Sequence, residues 1–142
     1  MESKISKLAI RLKENPTDSF VKFALALELL KIDQQEKALL LFKNIRNNDP
    51  DYTGVYYHLG KLYEELGENN LALECYKDGI VVTTRLKDQH SKSELQGALI
   101  NLEIEIETET EEELDKFISK IKIRATSNSS VDDDDDEDVP AA

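Results

Sequence analysis

Reactive side chains are scarce in this chain of 142 residues, which has one cysteine and two histidines. A single cysteine excludes an internal disulfide and is typical of proteins in a reducing compartment. Cys75 falls on an apolar helical stripe, so we expect a buried structural thiol. His58 is expected at the solvated surface, and His90 in a loop without nearby ligands. Because a Gly-rich phosphate loop is missing too, the sequence predicts no enzyme, no cofactor and no metal site.

Long apolar runs are also missing from the sequence. A signal peptide or a membrane span needs such a run. We therefore expect a cytoplasmic protein that does not enter a membrane.

Positive charge is in short supply, and the deficit is uneven. The net charge is −12. Residues 1–102 hold 14 Lys and Arg against 15 Asp and Glu, whereas residues 103–142 hold 4 against 15. Binding to nucleic acid needs basic groups that replace the counterions of phosphates. The charge pattern therefore excludes nucleic acid as an expected partner.

What the chain does contain is helical spacing, which is clearest between residues 53 and 76. Two apolar stripes with this spacing follow each other: Tyr56, Leu59, Gly60 and Tyr63, then Leu71, Ala72, Cys75 and Tyr76. Gly67 stands between them, where a helix end needs a residue that tolerates the left-handed conformation. The pattern predicts a helical hairpin whose helices approach closely at Gly60 and Ala72.

A shift of 34 residues aligns this hairpin with an earlier one. The aligned pairs are Leu25 and Leu59, Ala26 and Gly60, Ala38 and Ala72, Phe42 and Tyr76, and Pro16 and Pro50. A helix–turn–helix period of this length resembles the tetratricopeptide repeat family. The first repeat departs from the family at Lys22 and Leu29, where aromatic residues are usual. The resemblance covers Ser19 to about Leu86. It implies an all-α superhelix of antiparallel helix pairs with a concave groove for peptides or proteins.

The sequence predicts a helical domain over residues 1–107. Its repeats span about 19–52 and 53–86, and amphipathic cap helices flank them at 2–14 and 92–105. Capping-box patterns at Asp33 and Glu36, and again at Ser91 and Glu94, predict helix starts. The alternating segment 103–113 suits a strand as well as a helix.

A separate amphipathic helix is expected over residues 108–124. Its apolar stripe consists of Leu114, Phe117, Ile118 and Ile121. A helix of this length is marginal alone, so it packs on its own body, packs on another copy or waits for a partner. Residues 125–142 contain seven consecutive acidic residues, 132–138, and are expected to form a disordered acidic tail.

The resemblance also suggests which residues face the groove. In the first repeat these are Phe20, Phe23, Leu27 and Leu30, a face that the N-terminal helix could instead cover. In the second repeat they are Tyr57, Lys61 and Glu64. Some tetratricopeptide domains hold a peptide carboxylate with a Lys/Asn/Arg clamp, and Phe23 and Leu27 occupy first-repeat positions of that clamp. Recognition without a clamp is therefore expected.

Together these features predict a protein–protein interaction module, an adaptor or scaffold. It would bind an apolar or amphipathic segment of a protein or peptide partner. A small cytosolic holding chaperone is the alternative function. We expect a monomer or a weak homodimer.

Overall fold

The computed structural model describes residues 3–127, and side chains through residue 124. This range contains six α-helices and no strand, which confirms the predicted all-α fold. The helices are α1 (Lys4–Glu14), α2 (Ser19–Lys31), α3 (Gln35–Asn48), α4 (Gly54–Glu65), α5 (Asn69–Leu86) and α6 (Gln89–Ser127). Close contacts divide the chain into two compact units, Met1–Leu102 and Glu103–Ala142.

In the first unit each of the helices α1 to α4 packs against the next one along the chain. Short turns, residues 32–34 and 66–68, connect α2 to α3 and α4 to α5. Turns of this length join antiparallel helices, so the unit contains two helical hairpins in tandem. The largest fully buried side chains include Phe42, Ile45, Leu59, Leu62, Tyr76, Leu95 and Leu102.

Both hairpins turn on a residue with a positive φ, and these two residues are 34 positions apart. Asp33 has φ +59° and Gly67 has φ +78°. The backbone N–H of the next residue, Gln34 or Glu68, donates to the carbonyl five residues back, at 2.9 and 2.8 Å. Such a bond satisfies a carbonyl that the end of the helix leaves unpaired.

The predicted capping box at Asp33 and Glu36 is wrong. Helix α3 begins at Gln35, and its N-cap residue Gln34 makes no side-chain hydrogen bond to the helix. Asp33 lies one position too early to cap α3, because it already occupies the left-handed position that ends α2.

The C-terminal helix is longer than the sequence predicts. Two helices, 92–105 and 108–124, are expected, but the structure has the single helix α6. It begins early because the Asp88 carboxylate, rather than Ser91, acts as the cap and accepts a hydrogen bond from the Ser91 N–H at 3.2 Å. No second helix begins within 108–124, because the chain is already helical there. The Thr110 hydroxyl donates to the Ile106 carbonyl at 2.9 Å within α6. The alternating segment 103–113 is therefore helical.

The described part of the second unit is the C-terminal portion of α6, residues 103–127. Side chains 103–124 are exposed, except for half-buried Ile106. The predicted apolar stripe is thus exposed, by 55, 61, 40 and 50% at Leu114, Phe117, Ile118 and Ile121. The predicted acidic tail, 125–142, begins inside α6, and from residue 128 onward it lies outside the described residues.

Candidate partner-binding cleft

The seven residues predicted for the groove lie on two helices of the first unit. Those on α2 are Phe20, Phe23, Leu27 and Leu30, and those on α4 are Tyr57, Lys61 and Glu64. Phe20 is 63% exposed and Lys61 is exposed as well, whereas the other five are half-buried. The set therefore includes side chains that are open to a ligand and side chains that already contact the body.

Phe23 belongs to an aromatic cluster that joins the two repeats. Its ring centroid lies 5.9 Å from that of Phe42, 5.3 Å from that of Tyr52 and 5.2 Å from that of His58. Such distances are typical of aromatic pairs in protein cores. A ligand can therefore contact only the part of the Phe23 ring that remains exposed.

The expectation that His58 is a solvated surface residue is wrong. The imidazole is half-buried, with its centroid 6.2 Å from Phe42 and 5.5 Å from Tyr57. Burial lowers the pKa of His58 from its usual 6.5, and the Glu94 carboxylate acts in the opposite direction. The other histidine, His90, lies in the first turn of α6 rather than in a loop.

Tyr57 and Lys61 border a cleft of about 230 Å³ between α4 and α6. This surface, hereafter the α4–α6 cleft, is completed from α6 by Ser93, Glu94, Gly97, Ala98 and Asn101. A Cβ atom built on Gly97 meets no other atom within 4 Å. The α6 wall is therefore open at Gly97, and a bulky side chain introduced there would enter free space.

Glu64, the third predicted residue on α4, is held by the body of the protein. Its carboxylate accepts a hydrogen bond from the Tyr76 hydroxyl, and Lys61 Nζ lies 3.8 Å from the same oxygen. Burial, together with the hydrogen bond to Glu64, raises the pKa of Tyr76 far above its usual 10. The phenol therefore keeps its proton and continues to hold the carboxylate.

Other chemistry in the described residues is limited. Cys75 is fully buried, which confirms the predicted buried thiol, and burial raises its pKa to about 11. Within residues 3–127, no group of three or more His, Cys, Asp or Glu side chains is placed to hold a metal ion. In the same range no helix combines the length and the apolar character needed to cross a membrane.

Known proteins resemble the chain along its repeats. The crystal structure of a tetratricopeptide repeat domain protein from Salinibacter ruber is 46% identical, with a TM-score of 0.59. The match covers 61% of this chain and 96% of that one. The chain belongs to the tetratricopeptide repeat family.

Two further relatives extend the comparison. A TPR repeat-containing protein of Methanocaldococcus jannaschii is 36% identical over 69 residues, which are 49% of this chain and 21% of that protein. The solution structure of a protein from Bordetella parapertussis shares the fold, with a TM-score of 0.64 at 24% identity, covering 74% of this chain and 91% of that one. No protein-family model matches the chain. Membership of the tetratricopeptide repeat family supports a protein–protein interaction module in general.

Tetratricopeptide periodicity also explains the position of α6. The helices α2, α4 and α6 begin at Ser19, Gly54 and Gln89, which are 35 residues apart. Helix α6 thus stands where the first helix of a third repeat would begin, beside its equivalent α4. The sequence predicts a cap helix here, and no residue of this stretch is among those predicted to face the groove. The available signal was a row of residues without large apolar side chains at four-residue spacing, Ser93, Gly97 and Asn101.

Proposed function

We propose that this tetratricopeptide domain binds an apolar or amphipathic segment of a partner protein in the α4–α6 cleft. The observation that carries the proposal is the half-buried ring of Tyr57 in a cleft whose α6 wall is open at Gly97. Aromatic side chains partly buried in a pocket are the usual centres of binding energy at protein interfaces. Tyr57 is therefore the proposed anchor of the interaction.

The lining of the cleft indicates how a partner segment would be held. Tyr57 and Ala98 supply apolar surface, whereas Lys61 and Asn101 offer polar groups beside it. A volume of about 230 Å³ accommodates side chains rather than a whole helix. An amphipathic helix or a short extended segment would insert one or two apolar side chains and leave its polar face outside.

The exposed residues of α2 extend the proposed surface. Phe20 is 63% exposed, and Leu27 and Leu30 are half-buried on the same helix. We include them as secondary contacts, because the repeat alignment places their helix in the position equivalent to α4. We also place this function in the cytoplasm. The single cysteine, Cys75, is free and buried, which is typical of proteins in a reducing compartment.

Filling the cleft tests the proposal. The Gly97→Trp variant places an indole in the open space beside Tyr57, and Gln96→Trp adds the same side chain at an exposed neighbour outside the lining. Affinity capture from the native cell, using full-length protein, should recover a partner with the wild type and with Gln96→Trp but not with Gly97→Trp. Equal recovery by all three proteins contradicts the proposal. Retention of many unrelated unfolded chains would instead favour the holding-chaperone function.

A further inference from the structure

A second and larger cleft, of about 740 Å³, lies among α1, α2 and α3. It shares no lining residue with the α4–α6 cleft. The residues that matter for its chemistry are Leu12, Lys22, Leu40, Leu41 and Asn44. This surface is hereafter the Lys22 cleft. Its volume falls within the range of roughly 300–1,000 Å³ that is typical of ligand pockets.

Lys22 is a buried lysine whose ammonium group borders this cleft. The residue is only 7% exposed, and its Nζ donates a hydrogen bond to Asn44 Oδ1 at 2.7 Å. An ammonium group has three N–H donors. Among the described residues no carboxylate oxygen lies within 4.0 Å of Nζ, although Asp49 also lines the cleft. An ammonium group at the end of a buried side chain, with no carboxylate beside it, favours the arrival of an anion.

The second repeat shows what the Lys22 cleft lacks. At a shift of 34 residues the equivalents of Lys22, Leu12 and Asn44 are Tyr56, Arg46 and Asp78. The Tyr56 ring is 3% exposed, and its hydroxyl donates to the Pro50 carbonyl at 2.7 Å. Arg46 binds the Asp78 carboxylate at 2.7 Å beside it. The second repeat therefore has an aromatic ring and an ion pair at positions where the first repeat has neither.

We propose that the Lys22 cleft binds a segment of a partner protein that presents an aromatic side chain beside a carboxylate. The ring takes the place of the aromatic residue that the first repeat lacks and packs on Leu12, Leu40 and Leu41. The carboxylate accepts hydrogen bonds from Lys22 Nζ and supplies the missing counter-ion. Leu40 is 68% exposed, so a chain that continues beyond the cleft buries apolar surface that a small molecule would leave in water.

Three peptides test this proposal with the full-length protein. The probe is acetyl-Gly-Ser-Phe-Asp-Gly-Ser-amide, and its two controls replace Asp by Asn or Phe by Ala. Titrations followed by ¹H–¹⁵N NMR should shift the amide signals of Leu12, Leu40 and Asn44. Loss of a charge-assisted hydrogen bond weakens binding by roughly tenfold, so the Asn peptide should bind about tenfold more weakly than the probe. The Ala peptide should bind at least tenfold more weakly than the probe as well.

Two variants assign the effect to Lys22. Lys22→Met keeps much of the side-chain length without the charge, and it should bind the Asp and Asn peptides equally. Lys22→Tyr copies Tyr56, so it should fill the cleft, abolish binding of the probe and melt no lower than the wild type. Equal affinity of the wild type for the Asp and Asn peptides overturns the proposal, as does the absence of shifts at millimolar peptide. If these amide signals shift with protein concentration in the absence of peptide, the cleft binds a second copy of the chain. That result also overturns the proposal.

Discussion

Gly60 on α4 lies against the ring of Tyr76 on α5, inside the second hairpin. A Cβ atom built on Gly60 would stand 2.7 Å from Tyr76 Cδ1 and closer still to Cε1. Real Cβ atoms essentially never make such short contacts. The ring itself is fully buried, and its hydroxyl is bound to Glu64. The ring therefore cannot move aside easily.

This contact predicts that Gly60→Ala destabilises the protein although alanine is the better helix former. Overpacking a tight core site costs about 1–3 kcal/mol. The matched control is Gly97→Ala, also in a helix but in open space, which should stabilise by roughly 0.5–1 kcal/mol. Urea unfolding of both variants measures the two effects. Equal changes in the free energy of unfolding would show that the Gly60 contact is not tight.

The two left-handed turn residues predict opposite responses to substitution. Gly67→Ala places a side chain at φ +78° and should cost roughly 1–2 kcal/mol, although no atom crowds the site. Asp33→Gly removes a side chain from the same conformation and should leave stability unchanged or raise it by up to about 1 kcal/mol. Thermal melts of the pair provide the check. A lower melting temperature for Asp33→Gly than for Gly67→Ala would contradict the account.

The hairpins could be predicted because their contacts are encoded locally. Small residues at Gly60 and Ala72, repeated one period earlier as Ala26 and Ala38, mark close helix approaches, and all four are buried in the structure. The turn at Asp33 could not be predicted in the same way. Aspartate is also a common helix cap, and only the backbone conformation shows that it ends α2 instead.

The candidate site was predictable only on one of its walls. Tyr57 and Lys61 follow from the repeat alignment, because their helix has a full repeat signature. The opposite wall depends on where α6 begins, and Ser91 suggested a later start than the one Asp88 provides. The Lys22 cleft was missed for another reason. The first repeat has Lys22 where an aromatic residue is usual. The space that this leaves is visible only when the neighbouring helices are in place.

The lowered pKa of His58 predicts that the folded protein loses stability as the pH is lowered. Its pKa in the folded protein lies below the unfolded value of 6.5, because burial favours the neutral imidazole. As the pH falls below about 6.5, the unfolded chain therefore binds the proton first and the folded state loses stability. His58→Phe keeps a ring in the aromatic cluster but does not titrate.

Comparison of the two proteins isolates this effect from the carboxylates that they share. Melting temperatures measured between pH 7.5 and 5 should fall more steeply for the wild type than for His58→Phe. Parallel pH profiles would show that His58 titrates normally in the folded state.

The distribution of the core predicts that the C-terminal residues are dispensable for folding. Among the described residues, every buried apolar side chain lies at or before Leu102. A chain ending at residue 107 should therefore melt within roughly 4 °C of the full-length protein, a difference of under about 1 kcal/mol for a domain of this size. A chain ending at Leu86 loses Leu95, Ala98 and Leu102 and should unfold or aggregate. If the chain ending at residue 107 melted far below the full-length protein, residues after 107 would be part of the folded domain and the prediction would be wrong.

Mapping the surface that a captured partner contacts is the sharpest test of binding in the α4–α6 cleft. Cross-saturation NMR on labelled full-length protein, with the unlabelled partner bound, reports which amide protons lie at the interface. We expect the largest losses of signal in the α4–α6 cleft, at Tyr57, Lys61, Gly97 and Asn101. Strong losses confined to the Lys22 cleft or to residues 103–127, with these four signals unchanged, would contradict this expectation.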